Sequence, residues 1–123
     1  MQRDTRMQRD TRAFRWDAHE AALLIAEFTR TLGFDEYTSN RLVQSAVERQ
    51  FKVIGEALNQ LSKSAPSTAA KIPDLKQIVS FRNVLIHGYA TLNQAHVWRI
   101  VQESLPDLTT VLSRLLNESS SAT

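Results

Sequence analysis

Between Asn40 and Lys63 the chain has no proline and a single glycine, and Val43, Val47, Phe51, Ile54, Leu58 and Leu61 recur at steps of three and four. Steps of that size stack side chains on one stripe of an α-helix, whereas a half-buried strand alternates every second residue. So long an apolar stripe must be covered by other elements, because helices in proteins draw most of their stability from packing an amphipathic face. Three glycines and three prolines in 123 residues leave few turn positions elsewhere. Scarce breakers and long periodic stretches together predict an all-α chain.

Three further helices follow from the same periodicity. Phe14, Ala18, Ala21, Ile25, Phe28 and Leu32 predict a first helix over about 14–32, with Gly33 as its stop. "FDEYTSN" then reads as a connecting loop. After the stretch over 40–63, "SKSAPSTAAKIPD" reads as a linker with a short helical turn at 67–71. Pro73 suits the first turn of a third helix, which carries Leu75, Ile78, Val79, Val84, Leu85 and Ile86 and ends at Gly88. Asn93 is a suitable N-cap for the last helix, with Val97, Ile100, Val101, Leu105, Leu108, Val111, Leu112 and Leu115 as its apolar content. Pro106 is expected to kink or break it. Four main helices with short links predict an antiparallel bundle.

One domain fits the length. Its bundle is expected over 13–118, with a tail over 119–123. Residues 1–12 read "MQRDTRMQRDTR", a hexapeptide present twice. One repetition makes no solenoid. The segment is expected to be partly an artificial or alternative-start extension lying outside the helices.

Composition excludes several classes. A hydrophobic content of 42% belongs to a globular chain rather than a disordered one. With no cysteine there are neither disulfides nor thiolate metal sites, as suits a reducing cytosol. No apolar run approaches the ~20 residues of a membrane span and no signal-like apolar segment follows the first residues, so a cytoplasmic location is expected. A formal charge of +2 is no bulk basic footprint, so any RNA contact has to be local.

Polar residues inside the second predicted helix read blandly. Glu48–Lys52 and Lys52–Glu56 are i,i+4 pairs expected on a solvated face. Gly55 costs about 1 kcal/mol relative to alanine in a helix and suggests a close helix approach.

The denser signal is "FRNVLIHGY", residues 81–89, where Arg82, Asn83, His87 and Tyr89 crowd around three aliphatics. Arg82 and His87 are separated by about 140° on an ideal helix, while Asn83 and His87 share a face. If the helix ends near 86–87 and Gly88 turns the chain, Arg82, His87 and Tyr89 would converge. That trio suits phosphodiester cleavage. A histidine exchanges protons near neutral pH, and an arginine binds phosphate oxygens in a two-pronged way. An RNA 2′-hydroxyl deprotonated by His87 would attack the adjacent phosphate while Arg82 stabilises the developing charge. The three histidines form no H-x-x-x-H or H-E-x-x-H pattern, and no metal or cofactor is implied. The same residues also fit a structural role, with Arg82 on the helix C-terminal carbonyls, His87 as a polar terminus and Tyr89 as a packing residue.

The segment resembles the Arg, four to six residues, His signature of HEPN-domain ribonucleases. In its R-N-x-x-x-H-x-Y form it resembles the HepT toxins of HepT–MntA toxin–antitoxin pairs. "MQRDTR" at 7–12, "SAVERQFKVIGEALNQLSK" at 45–63 and "IPDLKQIVSFRNVLIHGY" at 72–89 extend the resemblance over most of the chain from Met7 onward. It implies a homodimeric HEPN-like bundle and a metal-independent endoribonuclease, the toxin of a type VII-like pair. By matching positions, Arg82 and His87 would be catalytic and Asn83 a supporting motif residue. Tyr89 would receive AMP from an MntA-type nucleotidyltransferase antitoxin. Two chains meeting near their motifs would bring two Arg82 and two His87 into one cleft, so that one histidine acts as base and the other as acid. Two readings compete: a non-catalytic helical module that docks a nucleotidyltransferase, and a purely structural dimer. His19 and His96 lie outside the motif and are expected at the surface or an interface; Trp16 and Trp98 are expected to pack.

Overall fold

The stripe of the second predicted helix organises the molecule. In the computed structural model, which describes residues 2–88 and 92–121 and the side chains of 11–88 and 92–118, it lies on α3 (Arg41–Ser64). Asn40 is its N-cap: Oδ1 accepts the Val43 N–H at 3.0 Å. Val47, Phe51, Ile54, Leu58 and Leu61 are buried as the periodicity requires, and Val43 packs against them half-covered.

Around α3 stand α1 (Gln2–Thr29), α2 (Phe34–Thr38), α4 (Pro66–Ala69), α5 (Leu75–His87), α6 (Gln94–Arg99) and α7 (Leu105–Ser121). A π-helical turn, Ile100–Ser104, joins α6 to α7 without a break. The described residues form an all-α bundle with no strand. α1 packs on α3 and α7, and α5 packs chiefly on α3. Arg12 and Arg15 donate to the carbonyls of Leu116 and Leu115, while Thr29 at the other end of α1 lines a groove with Val101 and Leu105. α1 and α7 are therefore antiparallel. Burial lowers the Arg15 pKa, and the Arg12 charge adds to the effect.

Four boundaries differ from expectation, each for a local reason. α1 begins at Gln2, because the hexapeptide contains no breaker and is rich in helix-forming Gln, Arg and Met; the N-terminal segment is thus helical rather than outside the helices. The stretch read as a loop holds α2. Glu36 accepts the Gly33 N–H at 2.9 Å, so Gly33 caps α2, and Tyr37 is fully buried. α5 starts after Pro73, because Asp74 adopts φ 59°, a left-handed conformation that aspartate tolerates and a helix does not. Pro106 does not break the last helix. Proline lacks an N–H and crowds the carbonyl four residues back, and the widened turn just before it accommodates both effects. At the other end α7 is helical through Ser121, past the expected limit at Glu118.

A polar relay sets α6 against α2 and α3. The Tyr37 hydroxyl donates to Gln94 Oε1 at 3.0 Å, and Gln94 Nε2 donates to Glu48 Oε2 at 2.9 Å. Burial, then the Glu48 charge, pushes the Tyr37 pKa up. Trp98 lies against the Tyr37 ring with centroids 5.2 Å apart, a packing role as expected, whereas Trp16 is exposed.

Candidate active site

α5 carries the motif, and its angular order decides which motif residues are covered. Ile78, Phe81 and Leu85 point at α3 and are buried. Phe81 meets Phe51 edge-to-face at 5.2 Å, a contact worth about 0.5–1.5 kcal/mol beyond its area. Of the three consecutive aliphatics only Leu85 enters the core. Val84 is 37% and Ile86 53% exposed, a correction to the expectation that all three pack within the chain.

Arg82 leaves α5 toward α3 and crosses it at Gly55. A Cβ on residue 55 would overlap Arg82 Cβ and stand 2.6 Å from its Cγ, so the glycine is what admits the arginine stem. The close approach suggested by Gly55 is real, and Arg82 fills it. Nη2 reaches Glu56 Oε2 at 3.2 Å, with the arginine side chain 12% exposed and the carboxylate 56%. Arg82 Nε is buried and has no hydrogen-bond partner among the described residues. With Glu56 more than half exposed, the ion pair contributes about 1 kcal/mol or less to stability. The pairing also corrects two simpler readings: Arg82 meets a neighbouring helix rather than its own C-terminal carbonyls, and Glu56 is no bystander on a solvated face. Glu48, the other carboxylate placed on that face, belongs to the Tyr37–Gln94 relay.

His87 is the last residue of α5 and is exposed; Asn83, one turn earlier, is exposed on the same face. Gly88 ends the helix with φ 63° and its N–H on the Leu85 carbonyl at 3.3 Å. The helix stays regular through His87, so Arg82 and His87 remain on faces about 140° apart. Within one chain they do not converge. Tyr89 lies outside the described residues.

Beside α5 an open groove of about 660 Å³ runs toward α6 and the π-helical turn, lined in part by Lys76, Ser80, Val84, His96 and Ser104. His96 is exposed and stands edge-on to Phe81 at 6.1 Å. His19 is half-buried rather than at the surface, with Nδ1 3.9 Å from Glu20 Oε1. No helix among the described residues is long and apolar enough to cross a membrane.

An all-α bundle that presents R-N-x-x-x-H at the end of one helix is the architecture the sequence resemblance anticipated. Comparison with known families places it: the family described as Ribonuclease HepT-like matches residues 18–115. A candidate RNase of Methanocaldococcus jannaschii is 33% identical over 101 residues, covering 82% of this chain and 92% of the relative. A second from the same organism is 34% identical over 100 residues, covering 81% and 82%. A protein of Thermococcus cleftensis named probable ribonuclease HepT is 31% identical over 102 residues, covering 83% and 92%. No solved structure matches the chain. The chain belongs to the HepT-like ribonuclease family.

Proposed function

We propose that the chain is the toxin of a two-gene pair, a metal-independent endoribonuclease that works as a homodimer with Arg82 and His87 as its catalytic residues. Family membership supports the ribonuclease class. The observation that carries the finer reading is the divergence of Arg82 and His87 on a regular α5. A site needing both is then completed by a second copy, and the exposed Val84 and Ile86 beside the motif are apolar surface for that copy to cover. In the shared cleft one His87 takes the 2′-hydroxyl proton and the 2′-oxygen attacks phosphorus. The 5′-oxygen leaves with a proton from the other His87, giving a 2′,3′-cyclic phosphate and a 5′-hydroxyl. Arg82 neutralises the phosphorane oxygens, and Asn83, on the His87 face, supports the motif. AMP transferred to Tyr89 by an MntA-type nucleotidyltransferase would add bulk and negative charge where RNA enters.

The test is RNA cleavage in EDTA with end-group analysis. Cyclic phosphate ends that disappear in His87→Ala and Arg82→Ala support the mechanism. Full activity in His87→Ala, or strict dependence on added Mg²⁺, defeats it. The half-buried, ion-paired Arg82 also suits a non-catalytic module that docks a nucleotidyltransferase; that reading expects no cleavage by the wild type and tight binding of the partner.

A further inference from the structure

We propose that Glu56 is a positioning residue for the Arg82 guanidinium, and that Gly55 and Glu56 together form a seat on α3 that presets this cation for the scissile phosphate. The proposal rests on the nuclease reading above. An arginine side chain has many rotamers, and a planar fork that must meet a phosphate in its own plane is effective only in a few of them. Here both ends of the side chain are constrained from one helix. At the near end the stem lies over Gly55, where any side chain on α3 would displace it. At the far end Glu56 Oε2 takes Nη2 at 3.2 Å. Adjacent residues of α3 thus set the direction in which the side chain leaves α5 and the rotation of its tip.

A purely stabilising contact does not account for this arrangement. The carboxylate is more than half exposed, where an ion pair gains little from Coulomb attraction. Arg82 Nε is left buried without an acceptor, an unfavourable state for a donor that a packing role would not select. Glu56 is the ionic partner of Arg82 among the described residues and holds Nη2 alone, so the rest of the fork remains available for an anion. A phosphate oxygen matches that need in charge and geometry.

Steady-state RNA cleavage by the full chain, compared for wild type, Glu56→Gln and Glu56→Ala, tests the proposal. Arg82 is followed in parallel through its Nε–Hε NMR signal. In Glu56→Ala, kcat is expected to fall about 10–100-fold with KM changed by less than about threefold, since orientation and not substrate affinity is lost. Glu56→Gln, whose amide oxygen still accepts a hydrogen bond, is expected to fall between. The Nε–Hε signal, slow to exchange with solvent in the wild type, should broaden or exchange faster in Glu56→Ala while helical content is unchanged. Wild-type kcat in Glu56→Ala, or an unaltered Arg82 signal, overturns the positioning role with the nuclease reading intact. Wild type that cleaves no RNA overturns the nuclease reading, and the positioning role with it.

Discussion

Replacing Gly55 by alanine opposes two effects whose sum can be worked out. Alanine is favoured over glycine inside a helix by about 1 kcal/mol. Against that, the new methyl would overlap Arg82 Cβ, which is fixed to the α5 backbone, with Arg82 Cα itself 3.6 Å away. A flexible side-chain end could step aside, but here α5 and α3 have to separate, and overpacking of this kind costs about 1–3 kcal/mol. The contact lies next to the backbone, so the upper half of that range applies. A net destabilisation of about 1–2 kcal/mol is expected, or a Tm lower by about 4–8 °C for a chain of this size. Thermal unfolding followed by circular dichroism measures it. Arg82→Gly removes the Cβ that clashes, so the double variant Gly55→Ala/Arg82→Gly should show a favourable coupling of about 1 kcal/mol or more. A Gly55→Ala variant more stable than wild type, as at an unobstructed helical position, would refute the close approach.

Phe51→Ala empties a fully buried position facing Phe81 and should cost about 3–5 kcal/mol in urea unfolding. Gly88→Ala forces a side chain into φ 63° with open space around it, so strain alone should cost about 1–2 kcal/mol. Tyr37 is an acid whose folded pKa is raised from 10.0, so its neutral form favours the native state; that stability is fully present below about pH 10 and is lost as pH rises beyond it. Tyr37→Phe, monitored by Tm between pH 8 and pH 11 (both values set about the ordinary tyrosine pKa), should show a flatter alkaline decline than wild type. Ile86→Asp places a charge on the exposed apolar surface beside the motif and should shift light-scattering mass from dimer toward monomer. Tyr89→Phe should stay toxic in the presence of the partner nucleotidyltransferase, with AMP found by mass spectrometry on the wild type alone.

α3 was legible because two independent signals agree on it: an Asn40 cap and an apolar stripe whose members are buried almost without exception. α2 escaped because five residues are too few to show a period, and the burial of Tyr37 comes from α6 and Trp98, far along the chain. In α5 three adjacent aliphatics carry no periodic information, so Val84 and Ile86 were placed inside while Phe81, the ring that meets Phe51, was passed over. At the candidate site the types of Arg82, Asn83 and His87 were informative by themselves. Glu56 was not. Its i,i+4 neighbour Lys52 offered a local explanation, and its actual partner lies on another helix. The signal available was its position directly after a glycine inside a long helix, where something large has to cross.

The π-helical turn governs the phase of the last helix. Each residue of an α-helix advances by about 100°, so Val97, Val101 and Leu105, spaced by fours, would drift round an evenly wound cylinder. Looser winding over Ile100–Ser104 keeps all three buried and delivers Leu108 and Leu112 to the core as well. One continuous rod thereby addresses two neighbours, α2 through α6 and α1 through α7. Excision of a single residue between 100 and 104 would restore even winding and rotate everything downstream by about 100°, carrying Leu108, Leu112 and Leu115 toward solvent. Exchanges of exposed side chains in this stretch, such as Gln102 or Glu103, leave that alignment untouched. The turn works as a vernier between two scales, and the quantity it protects is the number of residues rather than their identity.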